Sequence, residues 1–216
     1  MNAITLPAHD KLPESFYLRQ NVCTVAKELL GKLLVTHFDG KLTAGRIVET
    51  EAYNGVVDKA SHAWNGRRTA RTEIMYAKGG VSYVYLCYGI HHLFNVVTNQ
   101  KDIPHAVLIR ALEPVAGIET MLKRMKKIRH DTSLTRGPGN VSKALGIHTG
   151  YTGKTLLGKV MYIADDGFRI SSSACIATPR IGVDYAGEDA ALPYRFILAG
   201  NPYLSGKPSL NRKQNG

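Results

Sequence analysis

The chain has 216 residues, 44% of them hydrophobic and 8% aromatic, enough for one sizeable domain with a buried core. Lys and Arg total 28 against 17 Asp and Glu, a formal charge of +11 that favours a polyanionic partner, nucleic acid or an acidic membrane surface. The apolar runs fall short of the roughly 18 residues a membrane span needs, "MNAITLPAHDKLPESF" lacks the layout of a signal peptide, and Cys23, Cys87 and Cys175 fit neither a disulfide framework nor a zinc spacing, as in a reduced intracellular protein.

Asn21 reads as the N-cap of a helix in which Val22, Val25, Ala26, Leu29 and Leu30 recur on one face, with Gly31 closing it. "KLLVTHF" reads as a strand, Asp39-Gly40 as a hairpin turn and "KLTAGRIVETEAY" as the partner strand. Residues 54–75 are polar and irregular, and such a stretch in a compact domain is functional or mobile. "SYVYLCYGIHHLFNVVTNQ" then reads as a hairpin turning at Tyr88-Gly89, and "HAVLIRALEP" as a further strand. A helix is expected near "GIETMLKRMKKIRH", with Ile118, Met121, Leu122 and Met125 on one face and Lys123, Lys126, Lys127 and Arg129 largely on the other. The Gly/Pro loop of "TRGPGNVSKALGI" leads into a short helix, residues 155–204 read as more strands, and "SGKPSLNRKQNG" as a loose tail. Strands dominate without βαβ alternation. The predicted fold is α+β, a single domain of mixed type around a largely antiparallel sheet with a protruding β-hairpin.

Strict alternation in "RIVETEAY" puts Ile47, Glu49, Glu51 and Tyr53 on one face and Val48, Thr50 and Ala52 on the other. Two carboxylates in a half-buried strand are costly unless paired or used. Either they meet Arg or Lys at a sheet edge, or one serves as a general base on a rigid element. In the hairpin, Tyr83 and Tyr85 share a face on the outgoing strand, His91, Leu93 and Asn95 share one on the return, and Tyr88 projects from the tip. Cross-strand packing accounts for some of these rings. It accounts poorly for Tyr88, because a ring at a tip has little to pack on unless a partner provides it. In a basic chain that suits a wedge entering a base stack, and the lower rings suit stacking on an extruded base at about 1–3 kcal/mol each. His62, His91 and His92 with Glu49 or Glu51 have poor spacing for a metal, since adjacent histidines on a strand point oppositely and neither HxH nor HExxH occurs. Neither metal nor cofactor is expected. "TRGPGNVSK" reads equally as a simple turn or as a backbone cradle for a DNA phosphate.

"GRIVETEAY" followed by His62, then "YVYLCYGIHHLFNVV", "VLIRALEP", "GPGNVSKALGI" and "PRIGVDYAG" resemble, in that order, the alkyladenine (3-methyladenine) DNA glycosylases of the monofunctional type. The resemblance covers roughly residues 17–205, leaving an N-terminal segment 1–16 and a flexible tail 206–216. It implies an enzyme that flips a damaged purine out of double-stranded DNA and hydrolyses its N-glycosidic bond with water, without lyase chemistry. By the same resemblance Glu51 is the base that activates the water and Arg110 helps hold that water. Tyr53, His62 and Tyr85 line the base pocket, Asn95 crowds out the amine of normal guanine, and Tyr88 fills the gap left in the duplex. Arg67, Arg68, Arg71, Lys123, Lys126 and Lys143, with the loop glycine Gly139, are candidates for phosphate contacts. Asp189 and Tyr203 stand where the family pattern has tryptophans. A monomer with no membrane attachment is expected, cytoplasmic and nucleoid-associated in a bacterium or nuclear in a eukaryote.

Overall fold

The computed structural model describes residues 6–211. Within them lie nine strands, β1 (Asp10–Lys11), β2 (Leu33–Phe38), β3 (Lys41–Tyr53), β4 (Val81–Cys87), β5 (His91–Thr98), β6 (His105–Ala116), β7 (Met161–Asp165), β8 (Cys175–Thr178) and β9 (Arg195–Leu198). Four α-helices accompany them, α1 (Glu14–Tyr17), α2 (Val22–Leu29), α3 (Ile118–Met125) and α4 (Pro138–Leu145). The strands form one antiparallel sheet in the order β1-β7-β2-β3-β6-β5-β4, with β9 on β3 and β8 on β9. The α+β expectation is met.

Local chemistry explains the elements that the sequence displays. Asn21 caps α2 by accepting from the Thr24 amide at 3.0 Å, and the apolar face of the helix, Val22, Val25, Ala26 and Leu29, is buried in the main core. Asp39 and Gly40, both at positive φ, turn β2 into β3. Met121 and Leu122 of α3 are buried as the periodicity predicts, but the helix stops at Met125 because Lys126 takes a left-handed conformation. Residues 155–204 hold three short strands and two 3-10 segments rather than a run of strands. β1 and α1 lie in the segment with no sequence signal. Of the expected loose tail, residues 206–211 are described, and Arg195 donates to the Leu210 carbonyl at 2.8 Å and to Asn211 Oδ1 at 2.7 Å.

β3 is the spine. It carries β2 and then β9 along one edge and β6 along the other. The β3–β6 register shifts three times, first at Ala44–Gly45 and then twice more: Ile47 faces Leu112, Glu49 faces Ala111 and Thr50 faces Ile109, so Val48 and Arg110 are the extra residues of the second and third β-bulges. The bulge at Val48 corrects the strict alternation. Ile47 and Ala52 lie in the main core with α2, where Thr50 also bonds the Ala26 carbonyl, whereas Val48 turns to the opposite side with Ala111, Ile197, Tyr203 and Leu204.

That opposite side holds a buried ionic cluster. Glu49 accepts from Arg195 Nε at 2.7 Å, Arg110 Nε at 3.0 Å, the Ser205 amide at 2.6 Å and the Ser205 hydroxyl at 2.8 Å. Burial pushes the Glu49 pKa up, but the Arg110 and Arg195 charges and the Ser205 bond outweigh it and hold the carboxyl below its usual range. Glu49 therefore has two guanidinium partners, against one, Arg110, for Glu51. Glu49→Gln leaves both guanidinium groups without their common anion, and equilibrium denaturant unfolding is expected to show a loss of about 3–5 kcal/mol.

Candidate active site

Beyond the bulges β3 delivers Tyr53 to the wall of a cleft of about 900 Å³ and Glu51 to the layer behind it. The cleft is bounded by the β4–β5 hairpin, the loop that follows β3, residues 136–140 leading into α4, and residues 181–185. Glu51 is 0% exposed. Its Oε2 accepts from the Tyr53 hydroxyl at 2.9 Å and from Arg110 Nη1 at 3.2 Å, and its Oε1 accepts from the Ile181 amide at 2.8 Å. Tyr53, Arg110 and Ile181 all line the cleft, so the carboxylate lies directly behind its wall. The bulge at Arg110 lets one guanidinium reach both glutamates, Nε to Glu49 and Nη1 to Glu51. Burial, then the negative charge of Glu51, keeps the Tyr53 phenol protonated well above its ordinary range.

A smaller space of about 30 Å³ opens beside the cleft, lined by Tyr53, His62, Tyr83, Tyr85 and Asn95 among others. His62 Nδ1 lies 2.8 Å from the Tyr83 hydroxyl, and its ring sits edge-on to Tyr85 with centroids 4.7 Å apart. Arg71 approaches His62 Nε2 at 3.4 Å and covers the Tyr85 ring at 5.1 Å. A guanidinium only donates, so Nε2 accepts and Nδ1 carries the proton. The Asn95 amide nitrogen donates to the Tyr83 and Leu93 carbonyls, both at 3.2 Å, which pins the side chain and leaves its oxygen for the small cavity.

The hairpin turns where expected. Tyr88 and Gly89 both take positive φ, 50° and 70°, and Tyr88 is 89% exposed at the tip. A bulky residue in that conformation is strained, and no packing repays it. Below the tip the hairpin leans on the start of α4, so closely that a Cβ on Gly139 would stand 2.8 Å from His91 Nδ1. The basic candidates divide. Arg67, Arg71 and Gly139 line the cleft. Arg68 is engaged elsewhere, paired with Glu73 and Asp102 and lying over the Tyr76 ring. Lys143 is exposed on α4 outside the cleft lining. Among the described residues no three His, Cys, Asp or Glu side chains are grouped so as to hold a metal ion.

Sequence reasoning missed Asp58 and Arg180. They form a buried bidentate pair at 2.5 and 2.8 Å, and Arg180 also donates to the Ala52 and Asp189 carbonyls while lying 4.9 Å over the Tyr53 ring. This pair fastens the loop that carries His62 to the segment whose Ile181 amide holds Glu51. The two residues lie 122 positions apart, and no local signal joins them.

A ring-lined pocket with a carboxylate behind its wall opens on a basic cleft beneath an exposed tyrosine, and the relatives of the chain place it in the DNA glycosylase class. The profile of the methylpurine-DNA glycosylase family matches residues 15–202, and the chain belongs to that family. Relatives whose names include the words "3-methyladenine DNA glycosylase" occur in Chlamydia abortus, 49% identical over 87% of this chain and 97% of the relative, and in Chlamydia pneumoniae, 48% identical over 91% and 98%. A third, from Desulfitobacterium hafniense, is 44% identical over 91% of this chain and 99% of its own length. No helix among the described residues is long and apolar enough to cross a membrane.

Burial, reinforced by the Arg71 and Arg67 charges, lowers the His62 pKa from 6.5 to about 4. The unfolded chain therefore takes up this proton near pH 6.5, while the folded chain waits until about pH 4. The contribution of His62 to stability is intact above pH 6.5 and drains away as pH falls towards 4. The melting temperature of His62→Gln is expected to fall less than that of the wild type between pH 7.5 and pH 5.

Proposed function

We propose that the chain binds duplex DNA bearing methylated or deaminated purines, turns the damaged nucleotide into the cleft, and hydrolyses its N-glycosidic bond to leave an abasic site. The observation that carries this reading is Glu51, a fully buried carboxylate whose three donors, Tyr53, Arg110 and the Ile181 amide, all belong to the cleft wall. Bulk solvent does not reach it. What it can activate is a single water admitted past Tyr53 and Arg110. In the reaction the water oxygen bonds to C1′, its proton passes to Glu51, and the electron pair of the breaking C–N bond leaves with the purine. The sugar becomes cationic on the way to the transition state, so the same carboxylate serves as base and as counter-charge.

Substrate choice follows from the rings. A purine methylated at N3 or N7 is cationic, leaves as a neutral base, and gains about 0.5–2 kcal/mol against the faces of Tyr53 and Tyr85. Hypoxanthine and etheno-adenine are neutral and depend more on fit and on the low cost of extruding a mispaired base. Asn95 presents an acceptor, so it excludes the guanine amine by bulk rather than by charge, held rigid by its two backbone bonds. Tyr88, exposed on a strained turn, is the wedge that fills the vacated duplex position. Arg67, Arg71, Lys143 and the backbone at Gly139 supply phosphate contacts, and Arg68 is left to its ion pairs.

The reaction is monofunctional in this reading. Lys59 lines the cleft, but its bond to Glu188, reinforced by the charge of that carboxylate, raises its pKa. An amine that attacks C1′ must instead be depressed and neutral. Abasic strands are accordingly expected to stay whole until treated with hot alkali.

Glu51→Gln is expected to retain lesion-duplex binding while single-turnover excision drops by about 100-fold or more; a variant keeping a tenth of the wild-type rate would remove Glu51 as the base. Tyr88→Ser is expected to slow excision from duplex DNA at limiting enzyme, and an unchanged rate there would rule out the wedge.

A further inference from the structure

The 30 Å³ inner space has room for one or two waters. A purine cannot occupy it with the walls as they stand, so a base turned from the cleft to meet Asn95, which lines this inner space and not the cleft, requires one wall to move. Most are fastened: Tyr53 to Glu51, His62 to Tyr83, and Asn95 to two carbonyls. Tyr185 is not. It lines the inner space and the outer cleft alike, yet it is 70% exposed, and the one side-chain hydrogen bond it makes among the described residues runs from its hydroxyl to the Ala60 carbonyl at 3.2 Å. That acceptor is itself fixed, because the Ala60 amide donates to Asp58 Oδ1 at 3.0 Å and Asp58 is locked to Arg180. The ring is therefore the movable partner and the loop the immobile one. Tyr185 also stands on a 3-10 stretch, Asp184–Ala191, interrupted at Gly187 by φ 59° and ψ −128°, a conformation glycine adopts far more readily than other residues.

We infer that Tyr185 is a specificity-determining side chain at the throat of the base pocket: it leaves Ala60 to admit the extruded base, closes over it, and its ring sets the largest base the pocket accepts. The inference rests on the glycosylase reading above and extends it to a residue outside the motif positions considered for the pocket. A purine carrying one small methyl group fits beneath the returned ring. A purine enlarged by a fused third ring meets it.

The test uses the full chain in excess over duplexes carrying either 7-methylguanine or 1,N6-ethenoadenine, and compares single-turnover release of the two bases. Tyr185→Ala is expected to raise the ethenoadenine-to-methylguanine rate ratio by about tenfold. Tyr185→Phe, which keeps the ring and loses only the tether, is expected to hold the ratio within about twofold of the wild type. Tyr185→Gln gives a second ring-free variant should the alanine protein prove unstable. An unmoved ratio in the ring-free variants, or an equal shift in the phenylalanine variant, overturns the inference while leaving the glycosylase reading in place. A wild-type protein that releases neither base overturns both.

Discussion

One buried guanidinium ties this structure together. Arg110 gives its Nε to Glu49 and one terminal nitrogen to Glu51, and Arg195 supplies a second positive charge to Glu49. Two anions and two cations so buried are tolerable only because the hydrogen bonding is dense, Ser205 closing the remaining positions on Glu49. The consequence is a division of labour between glutamates two residues apart. Glu49 is saturated by guanidinium and backbone donors and serves the fold. Glu51 shares Arg110 and takes a phenol and an amide on the cleft wall, and it is the glutamate the proposed reaction uses.

The bulges make that division possible. Regular pairing of β3 with β6 would send Val48 and Glu49 to opposite faces and Arg110 and Ala111 likewise; the two extra residues bring all four to one side. Bulges beside a functional site re-aim side chains in this way, and here they do so on the most heavily paired strand of the sheet. Precision at Glu51 comes from the sheet, while variety around it comes from irregular segments hung on its end. The loop after β3, the start of α4 and residues 181–185 each reach the cleft, and the Asp58–Arg180 pair locks the first of these to the third. Loops positioned by a rigid scaffold are the usual seat of binding groups.

The hairpin follows a different economy. Its lower rings pack on one another and on His62, so ordinary cross-strand packing accounts for part of the aromatic density. Tyr88 stands outside that account, exposed and at positive φ, and the side chain contributes nothing to the folded core. Strain without a packing return is expected where a residue is kept for a partner.

Much of this was legible in order along the chain. The capped amphipathic helix α2, the Asp39-Gly40 turn, the Tyr88-Gly89 tip and the two-residue spacing of Glu51 and Tyr53 are local facts, fixed by side-chain period and backbone conformation within a few residues. The resemblance to glycosylase motifs named four of the residues that line the small cavity, Tyr53, His62, Tyr85 and Asn95. It did not separate Arg68 from Arg67 and Arg71, because whether a guanidinium is spent on Glu73 and Asp102 or faces the cleft depends on how an irregular loop folds. Period-two reasoning failed at Val48, since a bulge is a property of two strands and not of one. Glu49 meets Arg195 across 146 positions and Asp58 meets Arg180 across 122, and such pairings are chosen by topology and burial, which no window of sequence contains. The sequence by itself thus determined the elements, the charge and the residue types available for chemistry. Only the tertiary structure decided which glutamate takes two guanidinium groups and which stands behind the wall of the pocket, because that choice depends on where two bulged strands place one arginine and where β9 places another.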